Sequence, residues 1–137
     1  MRKITNLIVF LLITVLWTGC KKSSTPDVRD PFLATYSVTE TWTENGQVLT
    51  KPTFTMSIEK SSQHADMLLL NNFANYGAGT TAEATVNGNT ISIPQQTLSN
   101  LKVVQGTGTL ADQTLTYKFS ESSNGISNNI TAIAKKK

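Results

Sequence analysis

Gly106-Thr107-Gly108-Thr109-Leu110-Ala111-Asp112-Gln113-Thr114-Leu115-Thr116-Tyr117-Lys118-Phe119 reads as two strands folded about Asp112-Gln113. A tight turn there sets Leu110 beside Leu115, Gly108 opposite Tyr117 and Gly106 opposite Phe119, all on one face. Glycine weakens a strand, but an aromatic side chain lying across the bare backbone recovers part of the loss. The Gly-x-Gly is thus an element of sheet packing. A phosphate loop would need a following helix and usually a lysine, and the sequence supplies neither.

The same period of two extends outward from this hairpin. Tyr36, Val38 and Trp42 alternate with Thr35, Ser37, Thr39, Thr41 and Thr43, and Phe54, Met56 and Ile58 alternate with Thr53, Thr55, Ser57 and Glu59. That is how a strand with one buried and one wet face is written. Residues 66–73 form a more continuous apolar run. Ala82, Ala84 and Val86 precede Asn87-Gly88, with Ile91 and Ile93 following; a type I′ turn at Asn87-Gly88 would pair Val86 with Asn89, Ala84 with Ile91 and Ala82 with Ile93. Residues 126–134 supply the last strand. No stretch carries the i, i+3, i+4 recurrence of a capped amphipathic helix. The expectation is an all-β fold, an antiparallel meander of eight strands closing into a small barrel, since closure removes exposed sheet edges. A two-sheet sandwich is the alternative.

At the N-terminus, Arg2 and Lys3 precede an almost wholly apolar run from Leu7 to Trp17, followed by Thr18-Gly19-Cys20. The run is too short to span a bilayer. The pattern resembles a bacterial lipobox, with Trp17 where leucine is usual. The resemblance implies cleavage before Cys20 and acylation of its thiol, and acyl chains stabilise membrane association by about 0.8 kcal/mol per buried methylene. Cys20 is the sole cysteine, so the fold is expected to rest on its core, without a disulfide. The expected organisation is a signal peptide over 1–19, a lipidated flexible tether over 20–31, and one β-barrel domain over 32–137 with a basic tail.

The formal net charge of +3 does not make this a nucleic-acid-binding chain. Arg2 and Lys3 belong to the signal, Lys21 and Lys22 to the tether, and Lys135, Lys136 and Lys137 to the tail. Between Asp30 and Ala134 four lysines face eight carboxylates, a net of −4. A phosphate backbone requires clustered cations.

Tyr36-Ser37-Val38-Thr39-Glu40-Thr41, the hairpin Val86 to Pro94, and Gly106-Thr107-Gly108-Thr109-Leu110 resemble stretches of small lipoproteins from Bacteroidota with lipocalin-like, or calycin-like, barrels. The resemblance implies a compact barrel outside the cytoplasm. The Gly-x-Trp of ligand-carrying lipocalins and an arginine on the last strand are absent.

Catalysis needs convergent groups. The single histidine, His64, lies in a turn-like stretch, and the residues for a soft metal site or a calcium loop are lacking. The reading is therefore non-enzymatic, without cofactor or metal. Strict alternation puts Glu40 on the inward face with Tyr36, Val38 and Trp42, either within a ligand cavity or at a barrel end, wet or paired with a lysine. Trp42 follows the same logic. Asn71 to Thr80 is the longest irregular segment with aromatics; Phe73 and Tyr76 serve there either in recognition or in closing the barrel end. The leading function is a lipid-anchored cell-envelope protein, on the periplasmic side of the outer membrane, that binds a small apolar ligand or a partner through the barrel mouth. Such a ligand calls for a cavity of roughly 300 Å³ or more. The alternatives are a periplasmic metalloprotease inhibitor using Lys21 to Phe32 as a projecting segment, and a structural subunit of an envelope assembly.

Overall fold

The computed structural model describes residues 25–137; Cys20 and the signal segment lie outside the described residues. The chain forms nine antiparallel strands: β1 (Ala34–Glu44), β2 (Gln47–Thr50), β3 (Phe54–Lys60), β4 (Met67–Asn71), β5 (Thr81–Asn87), β6 (Thr90–Thr97), β7 (Val103–Ala111), β8 (Thr114–Ser123) and β9 (Ile126–Lys136). Each strand from β3 to β9 pairs with the next, and β9 returns to β1 through seven residue pairs from Tyr36–Lys136 to Trp42–Ile130. The result is a closed eight-stranded up-and-down barrel with one extra strand.

The extra strand, β2, arises because β1 is long enough to serve two neighbours along one edge. Residues 34–38 pair with β3, while 41–44 pair with β2. Asn45 and Gly46 both adopt positive φ, 51° and 77°, as a two-residue type I′ turn requires. The β1–β2 hairpin therefore stands above the rim.

The glycine hairpin has the expected register, with Leu110 opposite Leu115, Gly108 opposite Tyr117 and Gly106 opposite Phe119. The β5–β6 hairpin differs. Gly88 and Asn89 form its turn, so Val86 faces Ile91 and Asn87 faces Thr90. Only Gly88 has positive φ, 59°, which suits a turn with glycine at its first central position. The shift is even, so Ala82, Ala84 and Ile93 still point inward and remain buried. Pro94 lacks a donor for the ladder, and the β6–β7 register slips between Ile93 and Gln96, the place a proline is tolerated. There the Gln96 side chain takes over the ladder, accepting from Glu83 N and donating to Glu83 O, both at 2.8 Å.

Aromatic side chains fill the barrel. The Phe73 ring packs 4.8 Å from Phe119 and 6.0 Å from Tyr117, with Tyr36, Met56 and Leu115 fully buried around them. One end, which we call the base, is closed by Phe32 from a short 3-10 turn (Asp30–Phe32); the Tyr36 hydroxyl donates to Phe32 O at 2.8 Å. Burial pushes that hydroxyl's pKa up to about 12. Arg29 donates to the carbonyls of Ser61, His64 and Met67, while Asp27 holds it through a bidentate pair. Asp27, bonded to Arg29 and Lys60, is held well below the usual carboxylate range. Residues 27–31, part of the stretch that composition assigns to a flexible tether, are thus bonded onto the base.

Candidate functional site

The other end, the mouth, gathers the β1–β2 and β8–β9 hairpins, the β4–β5 connection and the β6–β7 connection. Inward-facing positions of β1 and β8 carry apolar side chains up to the last layer, where Glu40 and Glu121 replace them. Glu40 is fully buried and Glu121 is 6 % exposed. Each has a lysine partner from a neighbouring segment. Lys51, just after β2, donates to Glu40 Oε2 at 2.8 Å and to Ala74 O at 3.3 Å. Lys102, just before β7, pairs with Glu121 Oε1. The two ammonium groups also flank one ring, lying 5.1 Å and 4.9 Å from the centroid of Tyr76, a cation–π arrangement.

Each carboxylate keeps one buried oxygen without a hydrogen-bond partner among the described residues, Glu40 Oε1 and Glu121 Oε2. Burial raises the pKa of Glu40, and Lys51 partly opposes the rise. Burial also raises that of Glu121, with Lys51 lowering it and Glu40 raising it. Lys102 is shifted down, first by burial and then by the Lys51 charge. The four groups therefore sense one another and form a single electrostatic unit.

Lys51, Lys102 and Glu121 border a basin of about 300 Å³ lined also by Trp42, Glu44, Tyr76, Asn128 and Ile130, while Glu40 lies fully buried behind Lys51. A larger concavity of about 410 Å³ lies along β6 to β9. Its outward side chains are exposed Ser92, Gln105, Thr107 and Lys118, and among the described residues no buried polar group without a partner faces it. The mouth is the candidate site because unsatisfied polar groups and free volume coincide there.

Of the residues singled out from sequence, Glu40, Trp42 and Tyr76 meet at the mouth, and Glu40 takes the lysine-paired alternative. Phe73 does not reach the basin; it is fully buried and closes the barrel beneath it. The Asn71–Thr80 connection is tightly bonded: Asn72 donates to Thr55 O, Gly77 N donates to Asn72 Oδ1, and Thr80 Oγ1 donates to Tyr76 O. Ala74, at φ 53°, sits in a left-handed conformation unfavourable for a residue with a Cβ, and its carbonyl receives Lys51. Lys51, Lys102 and Glu121 escape the sequence reading. Glu121 had a signal, since it continues the inward series of Tyr117 and Phe119. His64 contributes backbone groups, its carbonyl accepting from Arg29 and Met67 N and its N–H donating to Ser61 Oγ.

No protein-family profile matches the chain, and no curated protein does. Among solved structures, the chain is similar to a provisionally assigned outer membrane protein from Bacteroides fragilis, with 20 % identity and a TM-score of 0.49. The match covers 82 % of this chain and 54 % of that one, so the chain spans about half the length of this neighbour.

Proposed function

We propose that this is a lipid-anchored, non-enzymatic protein of the cell envelope that binds a small ligand at the barrel mouth. The observation carrying this reading is the buried Glu121 carboxylate, with a spare oxygen, in the wall of an open basin of about 300 Å³. Filling the interior with side chains leaves the mouth, not the lumen, as the place for a guest, and such a volume lies at the lower end of small-molecule sites. Anchoring rests on the Cys20 pattern. The bonding of Asp27 and Arg29 to the base supports a definite presentation. Six residues lie between Cys20 and Asp27, so the seven steps of chain reach about 25 Å at most. A lipid at Cys20 would hold the base toward the bilayer and turn the mouth away from it. An inhibitor's projecting segment finds less support, because from Asp27 onward that segment is bonded to the base.

Cys20→Ser is expected to move the protein from the membrane to the soluble fraction and to abolish incorporation of labelled palmitate. A Cys20→Ser protein that stays membrane-bound would refute the anchor. For the mouth, Lys102→Ala is expected to abolish binding of any small molecule that perturbs Trp42 emission in the wild-type protein. Trp42 is the reporter because cleavage at Cys20 would remove Trp17, the other tryptophan.

A further inference from the structure

We infer that the mouth receives a neutral, hydroxyl-rich ligand, a mono- or disaccharide, held between Glu121 and Lys102 with its carbon face on Trp42. This deepens the proposed function and rests on the mouth being a binding site. The basin wall carries two carboxylates, Glu44 and Glu121, and two ammonium groups, Lys51 and Lys102, in balance, with Glu40 buried behind Lys51. A cationic guest would face both ammonium groups, and an anionic guest both carboxylates of the wall. Either would bring a charge that the balanced wall does not compensate. A wholly apolar guest would fail differently, by leaving the buried spare oxygen of Glu121 in the basin wall without a donor.

A sugar meets both demands. One hydroxyl donates to Glu121 Oε2, and its neighbour accepts from the Lys102 ammonium beside it. Asn128 at the rim offers a further donor and acceptor. The carbon–hydrogen face of a pyranose needs an apolar platform. Tyr76 is already flanked by the two ammonium groups, whereas Trp42, half-buried and lining the basin with Ile130, is the remaining ring. A basin of about 300 Å³ limits the guest to a small saccharide.

The test uses the full chain, processed and held in a detergent without a sugar headgroup. Glucose, galactose, N-acetylglucosamine, maltose and cellobiose serve as neutral probes, with glucosamine and glucuronate as charged counterparts and N-phenyl-1-naphthylamine as the apolar one. At least one neutral sugar is expected to change Trp42 emission saturably and to bind about tenfold tighter than either charged sugar. By calorimetry, Glu121→Gln should weaken that sugar about tenfold or more, the effect of one lost charge-assisted hydrogen bond. Trp42→Ala, at a half-buried rim position, supplies a second variant should Glu121→Gln misfold, and should weaken binding likewise. If a charged sugar or the naphthylamine binds in a Trp42-dependent way and no neutral sugar does, the saccharide inference falls while mouth binding stands. If no probe binds, both fall.

Discussion

Gly106→Ala is expected to destabilise the barrel by about 3 kcal/mol or more, since overpacking a tight site costs 1–3 kcal/mol and occasionally more. A methyl group at Gly106 would lie 2.4 Å from Lys118 O, 2.7 Å from Phe119 Cβ and 2.9 Å from Phe119 Cα. Directly opposed residues in an antiparallel pair ordinarily keep their Cβ atoms about 4.5–5.5 Å apart. The atoms in the way are backbone and Cβ, which no rotamer change can move, so β7 and β8 would have to separate. For a domain of this size the loss corresponds to a fall of roughly 10–20 °C in Tm. Phe119→Ala cannot rescue it, because alanine retains the offending Cβ. Gly79→Ala is the control: nothing lies within 4 Å of its Cβ position and no positive φ is required, so Tm should move little. Thermal melts of the three variants decide the matter, and a Gly106→Ala melt within 2–3 °C of wild type, under about 1 kcal/mol, would show that the strands are not this close.

That close approach was readable in the sequence because two local rules agree, glycines two apart on one strand and aromatics two apart on the next. Period two likewise placed Glu40 on the inner face, whereas Phe73 and Tyr76 were legible only as aromatics of an irregular segment between strands. What stayed hidden has a physical cause in each case. At Asn87-Gly88 the hairpin signal was right but the turn takes Gly88 first, and register depends on which residue carries positive φ. The extra strand β2 was announced by Asn45-Gly46, a turn signal as strong as the others, yet a strand of four residues, mostly exposed, shows almost no burial pattern. The lysines at the mouth could not be read. Lys51 and Lys102 lie 51 positions apart in segments with no periodicity, and only closure of the barrel brings both to the Tyr76 ring.

Lys51→Met is the substitution expected to cost most at the mouth, about 3–5 kcal/mol near pH 8, the range for removing one partner from a buried ion pair. Lys51 is the sole hydrogen-bond partner of the Glu40 carboxylate among the described residues. Without it a fully buried carboxylate must remain charged and uncompensated or take up a proton. The loss is therefore pH-dependent, with a sign fixed by the direction of the shift. Burial already raises the Glu40 pKa above 4.5, and removing Lys51 removes the main opposing effect. A carboxyl group with a higher pKa folded than unfolded binds its proton more tightly in the native state. Its favourable contribution is full below about 4.5 and is lost as pH rises through the folded value. Lys51→Met should then melt at a higher temperature at pH 5 than at pH 8. Asp27, shifted in the opposite direction, contributes its stabilisation above about 3.8 and loses it below, so it does not interfere in that window. Glu40→Gln combined with Lys51→Met removes the Glu40 titration and should recover much of the stability at pH 8 while flattening the profile in part. Glu121, also raised by burial and no longer lowered by Lys51, keeps a dependence of the same sign. Denaturant unfolding at both pH values reads all three proteins. If Lys51→Met costs under 1 kcal/mol and is insensitive to pH, then Glu40 is reached by water and the mouth is not the poorly hydrated site that its chemistry requires.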